Sequence, residues 1–337
     1  MIRVPQAAFA AVIVAAAALS GPARAASYTA SQILGGFDAV TLTGIHSAGG
    51  DINSTWITGG YLATTTSTGV NITGNGASTL ANPASPFTGY GVINVYGSTS
   101  GGGIFNFNSS SLTVDIGGTR SNSFNLATVN TGYAFPAANF TTAFWNPLLA
   151  LQTSLTGLAA NNTAASPSVN QNLTITSAGL HLNADGIAVF DIAASDLVRY
   201  SSVNIAPAIN QTVLINVTGL GTGSFTGNMN FSGGDGTTNA SNVIWNFGAA
   251  SSVTLGNWDG MVLAPNATLS QDSGQIDGAI VANIWNQGTN ELHYDVISPT
   301  TQTALTTLTT PATVPEPASA ALLGAGLLGL LGLRRRR

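Results

Sequence analysis

Apolar and polar residues alternate through much of the chain. Val213, Ile215 and Val217 fall on one side of an extended segment and Leu214, Asn216 and Thr218 on the other, the period of two that marks a strand with two distinct faces. Leu173 with Ile175 and Phe105 with Phe107 repeat the pattern, and Gly and Asn bound the runs. Near the C-terminus the strands repeat. Asp259 to Ala264 aligns with Asp277 to Ala282 at a step of 18 residues, and the same step places Val243, Ile244 and Trp245 before them and Asp295, Val296 and Ile297 after. A constant step with Gly, Asn and Asp at the turns predicts an all-β chain wound as a β-solenoid, parallel β-helix-like, in which every coil stacks an equivalent strand on the last. Towards the N-terminus the punctuation loosens into Gly35-Gly36-Phe37, Gly49-Gly50-Asp51 and Gly59-Gly60-Tyr61, read as turn or bulge positions.

One segment keeps a different period. Phe140, Phe144, Leu148, Leu151, Leu155 and Leu158 follow one another at steps of three and four, which predicts a helix over about 140–159 with one apolar face. Either Asn139 caps it and Pro147 kinks it, or Asn146 caps it and Pro147 takes the first helical position. Thr142, Asn146, Gln152 and Thr156 leave the other face uncharged, so the helix is expected to lie along the sheet. The Thr- and Pro-containing stretch 298–313 reads as an extended linker.

Composition narrows the partners. The chain has no cysteine and no lysine, so stability must come from burial and backbone pairing. Between residues 26 and 314 twelve acidic side chains face only Arg120 and Arg199, a formal charge of −10. Nucleic-acid binding needs clustered cations to neutralise phosphates, and that class is excluded. Low charge combined with plentiful Val, Ile, Leu and Phe also argues against disorder.

Both ends carry processing signals. Arg3, the apolar stretch Ala7 to Leu19, the Gly21-Pro22 break and the Ala23-Arg24-Ala25 site make a secretory signal peptide, residues 1–25, cut by signal peptidase after Ala25. At the other end Val314, Pro315, Glu316 and Pro317 precede an uncharged run from Ala318 to Leu333 and then Arg334, Arg335, Arg336 and Arg337. Sixteen residues make a helix of about 24 Å, short of a comfortable span, so the expected membrane contact is transient. The arginines stay on the cytoplasmic side by the positive-inside bias, which places everything before Val314 outside. Residues 314–337 resemble the PEP-CTERM sorting signal of Gram-negative bacteria; the resemblance implies recognition by an exosortase and removal of the tail near the motif. A simple C-terminal anchor is the alternative.

The inventory of reactive groups is thin. His46, His181 and His293 show no metal-ligand spacing, and no nucleophile elbow or cysteine is present. Asp191 with Asp196, or Asp272 with Asp277, could supply an acid and a base, but Asp259, Asp277 and Asp295 recur with the repeat, which suits corner positions. Gly233 to Gly236 is a lone fragment of a calcium-loop pattern. No metal or cofactor is expected, and no catalysis.

Val213 to Val217, Gly233 to Asp235, Asn242 to Phe247, Val262 to Ala267 and Gly274 to Gly278, with Asn139-Phe140 and Val189 to Ile192, resemble the choice-of-anchor A domain over about residues 30–297. That resemblance implies an adhesive, solenoid-like domain, 26–297 here, that members carry on alternative surface anchors, and it transfers no catalytic residues. The expectation is an exported protein of the envelope surface or extracellular matrix that attaches to polysaccharide or to other surface proteins. A solenoid with a helix beside it is also similar to the ice-binding β-solenoids, but Thr41/Thr43, Thr64/Thr66 and Thr174/Thr176 share no common period. Ice binding is the second reading and a polysaccharide-active β-helix enzyme the third.

Overall fold

The computed structural model describes residues 28–309 apart from 53, 65–69, 73–84, 168–171, 207, 209, 232–240, 294 and 296. The signal peptide, the Gly233 to Gly236 fragment and the sorting tail with its hydrophobic helix lie outside the described residues. Among the described residues all the strand pairings are parallel, and the chain winds as a three-faced β-solenoid. The first face holds ten strands in one ladder, from Thr128–Thr131 at one end to Ile187–Ala193 at the other, which at about 4.8 Å per strand gives a rod of roughly 43 Å.

The coils do not stack in chain order. Strand Ala39–Ser47 lies beside Ile280–Gly288, with Val40 opposite Val281. From this seam the N-terminal coils run outward to one end, and the C-terminal coils begin at the far end and return to the seam. The 18-residue step holds between Val262 and Ile280 and between Asp259 and Asp277. Elsewhere it fails: Ile244 sits opposite Met261, a step of 17, and Asp277 sits opposite His293, a step of 16. The neighbour after Ile280 to Ala282 is not Asp295 to Ile297 but Ala39 to Thr41. One residue matters because a register slip by one exchanges the two faces of a strand.

Except at the Thr128–Thr131 end, first-face strands are buried on both sides, which explains continuous runs such as Val213-Leu214-Ile215. Val213 and Ile215 enter the solenoid interior with Trp245, Val262, Ile280, Trp56 and Trp285. Leu214, Ile244, Met261, Leu263 and Val281 turn the other way, under a layer of helices. Helix α1 (Ala30–Gly36) is closed by a Thr29/Gln32 capping box, so Gly35 and Gly36 end a helix rather than make a turn. The Phe87 ring lies 2.6 Å from where a Gly36 Cβ would stand, so that position admits only glycine.

Helix α2 takes the first of the two expected starts, with Asn139 at its head, and Asn146 is its first α-helical residue rather than its cap. The Asn139 side chain accepts from Thr142 N at 3.0 Å, a π-turn covers Thr141–Trp145, and the α-helix runs Asn146–Thr156. Pro147 has no N–H to offer the preceding turn, and the wider turn, in which Asn146 N donates to Thr141 O, accommodates it. Leu148, Leu151 and Leu155 are fully buried. A short helix, α3, spans Ala194–Leu197. Within the stretch 298–313 expected to be an extended linker, the described residues instead form α4 (Pro299–Thr309), and 310–313 lie outside the described residues. Thr301, Ala304 and Leu305 are buried, and Thr306 Oγ1 lies 2.8 Å from Ser31 Oγ on α1. Threonine reads as linker-like by composition, but tertiary packing overrides so weak a propensity. The folded unit therefore extends past 297 to at least 309. Among the described residues no helix is long and apolar enough to cross a membrane.

Candidate functional site

Among the described residues the second face is open to solvent, with Ser224 and Thr226 exposed and Ser252, Thr254, Thr268 and Ser270 partly so. The long strands Ala39–Ser47, Met261–Gln271 and Ile280–Gly288 bend, and their second halves pair with Tyr61–Thr64 and Ser252–Leu255, which in turn pairs with Ser224–Gly227. Phe225, Val253 and Leu269 turn inward and fill the interior. Alternation then forces their neighbours outward: Ser224, Ser252 and Thr268 form one column and Thr226, Thr254 and Ser270 another. Rows about 4.8 Å apart and columns about 6.7 Å apart make a regular lattice of six hydroxyls. The next coils substitute Ile284 and Asn286, then Gly44 and His46, then Tyr61 and Ala63.

None of these six hydroxyl positions was singled out from sequence. Their signal is polar, apolar, polar in SFT, SVT and TLS, but the steps are 28 residues from Ser224 to Ser252 and 16 from Ser252 to Thr268, so no fixed period exposes them. The threonine pairs that sequence did single out go elsewhere. Thr41 and Thr64 are buried, Thr66 lies outside the described residues, and Thr174 and Thr176 face out on the third face opposite Asn204 and Ala206.

The carboxylates are sorted by register rather than by the pairings considered. Asp196 takes the exposed Arg199 at 3.4 Å. Asp191 accepts from Asn216 at 3.2 Å, and Asn216 accepts from Asn246 at 2.9 Å, in a ladder that also ties Asn216 to Leu155 O and Asn246 to Thr156 at the end of α2. On the third face Asp259, Asp277 and His293 are consecutive in register. His293 Nδ1 lies 2.6 Å from Asp277 and its Nε2 3.1 Å from Glu291, so this histidine does not stand alone. Burial would lower its pKa, but the bonds to Glu291 and Asp277 outweigh it and raise it. Burial, then the charges of Asp277 and Asp295, pushes Asp259 up to about 7.

At the seam Asp38 is fully buried. Its Oδ2 accepts from Thr55 N at 3.1 Å and Thr55 Oγ1 at 3.2 Å, while Oδ1 has no partner among the described residues. Burial raises its pKa to about 8 against the pull of Thr55. Its backbone O accepts from Ile280 N at 2.5 Å across the seam.

Asp259 and Asp277 stand opposite each other on adjacent strands. Among the described residues no three His, Asp or Glu side chains are grouped to hold a metal ion. His46 instead bonds Tyr61, and the His181 backbone bonds Asn162.

Residues 313–337 match the PEP-CTERM protein-sorting motif, so the protein is exported and sorted by an exosortase, as in Gram-negative bacteria. Among solved structures, an ice-binding protein from the Antarctic ascomycete Antarctomyces psychrotrophicus is 19% identical, covers 78% of this chain and 96% of its own, and has a TM-score of 0.31. The ice-binding protein LeIBP from an Arctic yeast is 14% identical, with 82% and 96% covered and a TM-score of 0.39. One from an Antarctic bacterium, Flavobacteriaceae, is 12% identical, with 78% and 83% covered and a TM-score of 0.28. No curated protein matches the chain. The parallel ladder and its register establish the solenoid, and with residues 30–294 matching the family described as "Putative Ice-binding-like adhesive domain", the chain belongs to that family.

Proposed function

We propose that the protein is an adhesin of the outer surface or extracellular matrix, which holds cells to hydroxyl-rich material through the second face. The hydroxyl lattice of Ser224/Thr226, Ser252/Thr254 and Thr268/Ser270 carries this reading. It is regular, uncharged and held by strands whose inward side chains are packed, so it offers hydrogen bonds with little ordering cost. Signal peptidase cuts after Ala25, and an exosortase reads Val314, Pro315, Glu316 and Pro317 together with the basic end. The resemblance to choice-of-anchor A proteins supports a shared domain borne on exchangeable anchors. Catalysis forms no part of the reading.

Deleting the gene should reduce attachment to polysaccharide-coated surfaces, and a bulky T254Y placed in the lattice should reproduce much of the loss without lowering the amount exported. Attachment unchanged in the deletion strain would refute adhesion. Ice binding is the second reading, favoured by the same two columns and by the family. It ranks lower because the lattice stops after three coils at Ile284 and Asn286, whereas a crystal face rewards an unbroken repeat. Thermal hysteresis by the purified protein would reverse the order.

A further inference from the structure

Beside the hydroxyl lattice the second face changes character. Tyr61 begins its strand opposite Gly44, and its neighbour Leu62 is fully buried, so the tyrosine points outward. A Cβ at Gly44 would stand 2.6 Å from Cε2 and Cζ of the Tyr61 ring. The ring therefore rests on the bare backbone of the adjacent strand. Its hydroxyl meets His46 Nε2 at 2.5 Å, and the two rings are 5.0 Å apart at 73°, nearly edge to face. Glycine below and histidine at the edge fix the ring's place and tilt. On the next coil Ile284 and Asn286 continue the two columns, and Asn286 Nδ2 donates to Ser270 Oγ at 3.3 Å, joining this patch to the lattice.

Resting on the adhesive reading above, we propose that Tyr61 is the stacking platform of a saccharide subsite and that the ligand of the second face is a neutral polysaccharide. A sugar ring presents C–H groups of slight positive charge, which suit the negative face of an aromatic ring. Its hydroxyls need donors and acceptors at the rim, and His46 and Asn286 stand there. From Tyr61 through Gly44, Ile284, Thr268 and Ser252 to Ser224 the face extends five strand spacings, about 24 Å, enough for several sugar units in file. Charge selects the class of polymer. The outward positions of these coils carry no Asp, Glu, Lys or Arg, and residues 26–314 carry a formal charge of −10, which repels acidic polymers.

The test is calorimetry of the full exported protein with soluble β-glucan and dextran, and with alginate as the acidic control. The expected result is binding to a neutral polymer and none to alginate. Y61A should weaken that binding about tenfold, whereas Y61F, which keeps the ring, should stay within about threefold. G44A should weaken it as well, by lifting the ring from the sheet, and it keeps the question answerable if Y61A does not fold. Binding that is undiminished in both Y61A and G44A, or preference for alginate, or no neutral polymer bound at all, overturns the proposal. Attachment of cells that persists in Y61A while T254Y abolishes it would sink the subsite alone and leave the adhesive reading standing.

Discussion

Asp38 gives the structure an unusual dependence on pH. The residue is fully buried at the seam, and its carboxyl is pushed from 3.8 up to about 8, first by burial and against two bonds from Thr55. The native state thus holds a proton that the unfolded chain releases near pH 4. Stability is greatest below the unfolded pKa, falls as pH rises towards 8, and levels off above it, the reverse of a salt-bridged carboxylate. At 1.36 kcal/mol per unit, the interval from pH 5 to pH 8 costs about 4 kcal/mol, a large share of a stability of order 10 kcal/mol. Asp259, raised to about 7, and His293, also raised, act in the same direction. D38N keeps the shape and the acceptor for Thr55 but has no proton to lose. Denaturant unfolding at pH 5 and pH 8.5, followed by tryptophan fluorescence, should show the wild type losing several kcal/mol and D38N losing far less. If the two proteins show the same slope, the buried carboxyl is not the cause.

Other substitutions report on individual parts of the fold. L151A, on the buried face of α2, should cost about 2–5 kcal/mol in denaturant unfolding, and a loss below 1 kcal/mol would mean the helix does not form a true second core with the sheet. G278A should destabilise by more than 1 kcal/mol, because its φ is +140° and a Cβ would meet Gly260 O at 2.5 Å; an unchanged thermal midpoint would contradict that geometry. N246A removes the bonds to Asn216 and Thr156 and should cost about 1–3 kcal/mol, seen as earlier unfolding in urea. Truncation at 297 should lower the midpoint as well, since it strips away Leu305, worth about 1.5–3 kcal/mol by burial alone.

The winding of the chain was legible in the sequence because its cause is local. Side-chain alternation in Val213 to Val217 needs only the pleat, and Leu148, Leu151 and Leu155 need only the helical period. What was hidden depends on partners far along the chain. Ala39 and Ile280 become neighbours, and nothing in either segment names the other. The hydroxyl lattice was missed for a related reason: loops of unequal length lie between its strands, so equal positions in space sit at unequal steps in sequence. The family resemblance at the PEP-CTERM tail was legible for the opposite reason, because it is contiguous. Helix α4 misled by composition, since its threonines satisfy their hydroxyls on the preceding turn, Thr303 to Pro299 O at 2.8 Å and Thr306 to Gln302 O at 2.7 Å.

The seam also decides how the rod is held. Because the first coil and the last meet in the middle, α1 and α4 lie side by side, joined by Ser31 and Thr306. Helix α4, with which the described residues end, thus lies against α1 on the helix-covered flank near the middle of the rod, and not at one tip. A load applied to either arm of the rod would cross to the other through this seam, where Ala39–Ser47 and Ile280–Gly288 pair along their length, so the two halves of the chain bear it together.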